Sequence, residues 1–247
     1  MGLFRRKKKN TIACSALVVA AGRSSRMGCV DKIMLPIDGI PVIIRTLQAV
    51  SACEHVQEIV VVTRSDLLVP MSEEIQVYGV GKVTKLIVGG VERMESVHLG
   101  LQEISSEAEY VAIHDGARPF ASPALIARTI EAAVQYKAVA PAVPMRDSIR
   151  QTEKGKNHVV ERENLRAIQT PQVFDIDLVR AAIVKAQEEK LSLTDDCAAV
   201  EHLGMPIHLV EGEAQNMKLT HREDIAMATG LAMAQSGALA LWGEEEL

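Results

Sequence analysis

Short aliphatic runs recur along the chain at the spacing of β-strands that alternate with helices. The clearest runs are residues 16–20, 59–63, 85–88, 110–114 and 138–143, and an apolar pattern of helical period spans 41–52. Continuous aliphatic strands are typical of parallel sheets that helices cover on both faces. Such strands are joined by right-handed crossovers, so the sequence predicts an α/β fold with an open, mainly parallel, Rossmann-like sheet flanked by helices.

The composition argues against two classes of partner. Aromatic residues make up only 3% of the chain, and the formal net charge is −5. Proteins that bind single-stranded nucleic acid stack bases on exposed aromatic rings in a basic groove, so we expect no nucleic-acid partner. No run reaches the ~18 apolar residues of a membrane-spanning helix, so we expect no membrane partner either.

The cysteines are spaced unlike those of a metal site or a disulfide framework. Cys14, Cys29, Cys53 and Cys197 form no Cys-x-x-Cys pair. This spacing predicts reduced, structural thiols, which are usual in a cytoplasmic protein.

Five consecutive basic residues, Arg5 to Lys9, stand near the start of the chain. Short blocks of like charge are usually solvated, so we expect residues 1–11 to form a disordered basic tail. Contact with a membrane surface or with RNA is the alternative interpretation. No repeat or low-complexity linker interrupts the rest, so we expect residues 12–247 to form one domain.

Two helix starts carry recognisable caps. Ser122 followed by Pro123 supplies an N-cap and a proline in the first turn. Thr220 and Glu223 have the spacing of a capping box.

Residues 146–162 break the aliphatic pattern. The segment is polar, and residues 153–157 read as a turn between two short β-like arms. An isolated two-stranded hairpin is marginally stable, so we expect this arm to pair with the same arm of a second subunit in a homodimer.

The segment from Leu17 to Gly28 indicates an anion site. A buried strand ends there in small residues, which allow a ligand to approach the backbone closely. Arg26 and the nearby Lys32 add positive charge suited to a triphosphate in phosphoryl transfer. A solvated basic turn is the alternative.

Two commoner nucleotide loops are excluded. Gly22 is followed by Arg23 and Ser24, so a Gly-x-Gly-x-x-Gly dinucleotide fingerprint is absent. Lys32 lies between Asp31 and Ile33, which is incompatible with the Gly-Lys-Ser/Thr of a P-loop.

Several further segments complete a family resemblance. Ala20-Ala21-Gly22-x-x-x-Arg26-Met27, with Lys32 and Leu35-Pro36, resembles the signature loop of sugar-phosphate nucleotidyltransferases. The other segments are Gly89-Gly90-x-x-Arg93-x-x-Ser96-Val97, His114-Asp115-Gly116-Ala117-Arg118-Pro119, Thr170-Pro171-Gln172-x-Phe174, Thr194-Asp195-Asp196 and Asn216-x-Lys218-x-Thr220. In this order the set resembles the 2-C-methyl-D-erythritol 4-phosphate cytidylyltransferases of non-mevalonate isoprenoid synthesis. The resemblance covers nearly the whole chain.

The resemblance implies roles for particular residues. It implies a catalytic set of Arg26, Lys32, Arg162 and Lys218. It implies a nucleotide-binding set of Ala20, Ala21, Gly22, Gly89, Gly90, Ser96 and Gly116. It implies a substrate-binding set of Asp115, Arg118, Ser148, Thr170 and Thr194, part of which would reach a partner's site through the hairpin. Mg²⁺ would be held mainly by the CTP phosphates, with Asp115 as a candidate protein ligand. His114, a strand residue with apolar neighbours, is interpreted as structural.

The chain departs from the family pattern in three places. Ser24 and Ser25 stand where relatives often have glycine, Val91 stands where a polar or acidic residue is common, and Ser148 stands where threonine is frequent. None of these changes removes a charge that the chemistry needs.

The implied reaction transfers CMP from CTP to the methylerythritol phosphate and releases pyrophosphate. A phosphate acceptor is already ionised at neutral pH, so no protein nucleophile or strong base is needed. Two alternatives remain open: a ribitol-5-phosphate cytidylyltransferase, and a nucleotide-binding regulatory protein without catalysis.

Overall fold

The computed structural model of the chain describes residues 11–22 and 31–237. Their strands are, in chain order, β1 (Cys14–Val19), β2 (Pro36–Ile37), β3 (Ile40–Pro41), β4 (Val56–Thr63), β5 (Val83–Val88), β6 (Tyr110–Asp115), β7 (Ala138–Pro144), β8 (Ile149–Glu153), β9 (Lys156–Val160), β10 (Arg166–Ile168), β11 (Gln172–Asp175) and β12 (His208–Glu211). The α-helices are α1 (Val42–Ala52), α2 (Leu68–Val77), α3 (Arg93–Glu103), α4 (Pro123–Tyr136), α5 (Ile176–Glu188), α6 (Asp196–His202) and α7 (Glu223–Gln235). The predicted basic tail, apart from Thr11, lies outside the described residues.

The described strands form an eight-stranded sheet in which β7, β11, β6, β1, β4 and β5 follow one another. β10 pairs with the same edge of β7 as β11 does, and β12 pairs with the opposite edge of β7. β1 pairs in parallel with β4 and β6, β4 with β5, and β7 with β12. β11 lies antiparallel between β6 and β7, and β10 continues this antiparallel pairing along β7. The open, mostly parallel sheet flanked by helices is therefore confirmed, and the antiparallel pairs were not predicted.

Helices cover both faces of the sheet. On β1, Ala16 and Val18 point into the core that α1, α2, α4 and α7 cover. Leu17, between them, points into the core that α3, α5 and α6 cover. Burial on both faces explains why the strand is aliphatic at consecutive positions.

The register of β1 fixes where the chain leaves the sheet. Val19, the last residue of β1, pairs with Val62 of β4 on one side and with Asp115 of β6 on the other. In open α/β sheets, ligands bind beyond the carboxyl ends of the strands. The ends of these three strands therefore define the edge where a ligand would lie.

One predicted helix cap is confirmed and the other is wrong. The Ser122 hydroxyl accepts a hydrogen bond from the Leu125 amide at 2.9 Å. The amides of Thr220 and His221 instead donate to the Asp224 carboxylate at 2.6 and 2.8 Å, and α7 begins only at Glu223. The Thr220 hydroxyl donates to the Lys218 carbonyl, and α7 has no side-chain cap, so no capping box forms.

The polar segment forms the predicted hairpin. β8 and β9 pair only with each other among the described strands, from Ile149 with Val160 to Glu153 with Lys156. Glu153 pairs with Lys156, so the turn consists of the two residues Lys154 and Gly155. Their φ angles of 47° and 78° suit a type I′ turn. Both arms are largely exposed. The pairing with a second subunit remains a prediction.

The described cysteines Cys14, Cys53 and Cys197 are buried free thiols, as predicted. Cys29 lies outside the described residues. Among the helices that the structure describes, none combines the length and the apolar character needed to cross a membrane.

Candidate active site

A pocket opens at the carboxyl ends of β1 and β6, beside the loop that follows β5. Its lining consists of Val19, Ala20, Ala21, Gly22, Lys32, Ile33, Gly90, Val91, Glu92, Arg93, Ser96, Asp115, Ala117 and Lys218. Eight of the residues predicted from sequence are among them: Ala20, Ala21, Gly22, Lys32, Gly90, Ser96, Asp115 and Lys218. Arg26 lies outside the described residues.

One wall of the pocket is made of small residues. The Ala20 amide donates to the Val62 carbonyl at 2.7 Å, which continues the β1–β4 pairing to the pocket edge. In the same wall, the Ser96 hydroxyl accepts from the Gly90 amide at 3.1 Å and donates to the Glu92 carbonyl at 3.1 Å. This wall therefore presents backbone and one hydroxyl, and is short of bulky side chains.

Two predicted nucleotide-binding glycines lie behind this wall. A Cβ at Gly89 would stand 2.6 Å from the Ser96 hydroxyl and 2.8 Å from the Ala21 Cβ. A Cβ at Gly116 would stand 3.0 Å from the Ala20 Cβ. Neither glycine lines the pocket. Their observed role is to let the two loops approach each other closely.

The opposite wall is organised around a buried carboxylate. The Asp115 carboxylate lies 2.9 Å from the Lys218 Nζ, 3.3 Å from the Arg118 Nε and 3.8 Å from the Arg93 Nε. Burial alone would raise the pKa of Asp115, but these three cations hold it well below its usual range. Asp115 is therefore ionised and keeps the basic side chains together.

Arg93 is a pocket residue that was missing from the predicted site. Its guanidinium makes two hydrogen bonds, of 2.8 and 2.7 Å, to the carboxylate of Asp196 at the start of α6. Burial alone would lower the pKa of Arg93, but Asp196 and Asp115 raise it above its ordinary value. Arg93 and Asp196 both belong to segments that the sequence analysis singled out, but they lie 103 positions apart, and nothing in the sequence indicated that they are in contact.

Lys32 forms another cationic corner of the pocket. Its Nζ donates to the Leu219 carbonyl at 2.9 Å, next to Lys218 in sequence. The Leu219 amide in turn donates to the Ala117 carbonyl at 2.9 Å. The segment that carries Lys218 is thus hydrogen-bonded both to Lys32 and to the loop that follows β6.

His114 and Thr170 lie beneath Asp115. The His114 Nδ1 is 2.9 Å from the Thr170 hydroxyl, and its Nε2 is 3.3 Å from the Arg118 carbonyl. The Thr170 hydroxyl also accepts from the Asp115 amide at 3.0 Å. The carbonyl can only accept, so Nε2 carries the proton and Nδ1 accepts from Thr170. The prediction that His114 is structural agrees with these contacts, and Thr170 does not line the pocket.

We expect the burial of His114 to make the protein sensitive to acid. Burial lowers the pKa of His114 from 6.5 to about 4. Between these values the unfolded chain binds more protons than the folded one, so stability falls as the pH is lowered through this window. The loss should be on the order of 3 kcal/mol by pH 4. Urea unfolding of His114→Gln should show a flatter pH dependence than the parent, whereas His221→Gln, at an exposed position, should follow the parent. Parallel curves for parent and His114→Gln would contradict this prediction.

Besides Thr170, four residues of the predicted catalytic and substrate-binding sets do not line the pocket of this chain. Arg118 is buried, and its guanidinium donates to the Asn216 carbonyl at 2.8 Å as well as contacting Asp115. Ser148, Arg162 and Thr194 are exposed, and the Arg162 guanidinium donates to the Arg146 carbonyl at 2.9 Å, at the base of the hairpin. Their predicted roles in substrate binding remain predictions.

The described residues do not form a metal site of their own. No group of three or more His, Cys, Asp or Glu side chains among them is placed to hold an ion. Asp115 would be the protein ligand, but its carboxylate already faces Lys218, Arg118 and Arg93. This surrounding of cations does not fit Asp115 as a metal ligand.

Comparisons with known proteins point to one family. A family profile described as 2-C-methyl-D-erythritol 4-phosphate cytidylyltransferase matches residues 14–233. A curated protein of that name from Caldanaerobacter subterraneus is 40% identical over 219 residues, which cover 87% of this chain and 96% of the relative. A crystal structure of 4-diphosphocytidyl-2C-methyl-D-erythritol synthase from Anaerococcus prevotii matches with a TM-score of 0.81 and 30% identity, over 90% of this chain and 97% of that one. A structure of the cytidylyltransferase from Thermus thermophilus matches with a TM-score of 0.75 and 35% identity, over 88% and 98% of the two chains.

Proposed function

The chain belongs to the 2-C-methyl-D-erythritol 4-phosphate cytidylyltransferase family, and we propose that it catalyses the reaction of that name. CMP is transferred from CTP to 2-C-methyl-D-erythritol 4-phosphate, giving 4-diphosphocytidyl-2-C-methyl-D-erythritol and pyrophosphate in isoprenoid precursor synthesis. The observation that carries the proposal is the pocket itself. It combines a backbone-lined wall with the cations Lys32, Lys218 and Arg93 beyond the carboxyl ends of β1 and β6.

The pocket suits a reaction that needs charge and positioning. A phosphate oxygen of the acceptor forms a bond to the α-phosphorus of CTP, and the bond from that phosphorus to the bridging oxygen of pyrophosphate breaks. The acceptor oxygen is already anionic, so no proton has to be removed. Catalysis of such a transfer is mainly electrostatic stabilisation and alignment. Lys32 and Lys218 are the lining ammonium groups that would meet the phosphates.

Asp115 has an indirect part in this scheme. The cations Arg93, Arg118 and Lys218 surround Asp115. Lys32 lines the same pocket, and Glu92 adds a carboxylate to the lining. Phosphate oxygens would therefore meet basic side chains that Asp115 already holds together. Asp115 holds Lys218 and Arg118 in place, which lowers the cost of ordering them when the acceptor binds.

We also propose that CTP enters as its Mg²⁺ complex, since the triphosphate supplies the anionic oxygen ligands that Mg²⁺ prefers. The homodimer and the cytoplasmic location inferred from the sequence remain predictions.

The nucleotide preference tests the base pocket. The wall formed by Ala20, Ala21, Gly22 and Gly90 offers backbone groups at fixed positions for a pyrimidine edge. A site of this kind rejects an analogue that leaves its polar groups unpaired. We expect kcat/KM for CTP to exceed that for UTP, ATP and GTP on the order of 100-fold or more. Equal use of a purine triphosphate would contradict the cytidylyl assignment.

The experiment that tests the function is pyrophosphate release with CTP and three acceptors: methylerythritol phosphate, ribitol 5-phosphate and erythritol 4-phosphate. Methylerythritol phosphate should be the preferred acceptor, and the cytidyl product should form in equal amount to pyrophosphate. A preference for ribitol phosphate would reassign the acceptor. Binding of CTP without turnover of any acceptor would favour the regulatory alternative.

A further inference from the structure

Arg64 lies just outside the pocket, at the end of the strand next to β1. It follows Thr63, the last residue of β4, and it does not line the pocket. Its Nε and one terminal nitrogen bind the two carboxylate oxygens of Asp66 at 3.0 and 2.9 Å. This paired contact fixes the plane of the guanidinium.

The guanidinium also contacts both ends of the segment 23–30. The terminal nitrogen that binds Asp66 forms an ion pair with the Asp31 carboxylate as well, and the other terminal nitrogen is 3.5 Å from the Gly22 carbonyl. Gly22 and Asp31 lie nine residues apart in the sequence. A single side chain therefore contacts both residues that border the segment 23–30.

Asp31 also links Arg64 to the backbone around Lys32. The second carboxylate oxygen of Asp31 accepts from the Ile33 amide at 3.2 Å, so Asp31 contacts the backbone on the far side of Lys32. Lys32 itself reaches across to the Leu219 carbonyl. The position of the Lys32 backbone is thus tied to Arg64 through one carboxylate.

We propose that Arg64 is a positioning residue for the transfer reaction, which holds Gly22 and Asp31 beside each other and so sets the place of Lys32 in the pocket. The proposal rests on the proposed function. The guanidinium is one-fifth exposed, and Asp66 is mostly exposed. The contact with the exposed Asp66 contributes little to global stability, so we expect the loss of Arg64 to appear mainly in catalysis.

The first test is the kinetics of Arg64→Ala with CTP and methylerythritol phosphate. We expect kcat to fall about 10- to 100-fold, the scale of a misplaced catalytic group, with a smaller change in KM and a nearly unchanged unfolding midpoint. Arg64→Lys should recover only part of kcat, because an ammonium group cannot make the paired contact that a guanidinium makes with a carboxylate. Arg180→Ala is the matched control: that arginine also contacts one carbonyl, of Leu101, and one carboxylate, of Asp177. It should keep the parent kcat.

The second test asks whether Arg64 acts through Lys32. In a Lys32→Ala background, the further change Arg64→Ala should lower kcat little. Asp31→Asn should reproduce the loss of Arg64→Ala, and it serves as the test variant if Arg64→Ala does not fold. Parent-like kcat in Arg64→Ala, or an equal loss with and without Lys32, would overturn the inference. A parent chain that releases no pyrophosphate would overturn the proposed function and this inference together, so the two failures are distinguishable.

Discussion

Replacing Lys32 with alanine should lower kcat about 100- to 1000-fold, the cost of removing one electrostatic stabiliser from a transition state. Lys32 lines the pocket, and its Nζ is held at the Leu219 carbonyl, 2.9 Å away. Negative charge moves onto the departing pyrophosphate during the reaction, so the ammonium is worth more in the transition state than in the bound ground state. The loss should therefore appear in kcat, with a smaller change in KM for the acceptor.

The measurement is steady-state pyrophosphate release at saturating CTP. Lys82→Ala is the matched control, because the Lys82 Nζ also donates to a backbone carbonyl, that of Cys53 at 2.8 Å, away from the pocket. It should keep the parent kcat. The sequence makes the same prediction for Arg26→Ala. Unchanged turnover in Lys32→Ala would remove this lysine from the mechanism.

The sequence predicted the central strands because each is buried on both faces. The β1 and β4 regions are aliphatic at consecutive positions, and the structure extends the predicted runs by only a few residues. β11 and β12 were missed because their four-residue sequences, QVFD and HLVE, contain no continuous aliphatic run. β11 also begins with the polar Gln172, whose side chain donates to the Asp195 carboxylate and accepts from the amides of Asp196 and Cys197. A short strand whose polar residue is satisfied by a distant segment has no local signature.

The parts of the site differ in how well the sequence predicted them. Residues in the loop after β1 were predicted because strand end, small residues and cations lie close together in the sequence. Arg93 was missed because its guanidinium is placed by Asp196, a contact that only the fold creates. Thr170 was predicted for the substrate, and in this chain its hydroxyl contacts His114 and the Asp115 amide. A motif can thus identify a residue without showing whether it contacts the ligand or supports a residue that does.

Deleting residues 151–158 and replacing them with a short turn should give a folded, monomeric and nearly inactive protein. The hairpin of β8 and β9 pairs with no other strand of the described chain, so its loss should leave the main sheet intact. Val159 on this hairpin is 65% exposed, which favours an apolar contact with a partner. Sedimentation and pyrophosphate release should therefore change together, while the unfolding midpoint stays close to that of the parent.

A mixing experiment locates the role of Arg162. In this chain its guanidinium donates to the Arg146 carbonyl at the hairpin base, and Arg162 does not line the pocket. In a two-fold dimer it could serve the partner's pocket. Lys32→Ala and Arg162→Ala subunits should each be nearly inactive alone, and mixing them should restore part of the activity, because some pockets then combine an intact Lys32 with the partner's intact Arg162. Arg150→Ala, on the same hairpin and hydrogen-bonded to Asn157, is the control, and it should be active as a dimer of its own subunits, without being mixed with a second variant. If dimers that have exchanged subunits show no recovery, Arg162 acts within its own chain or has no role in the reaction.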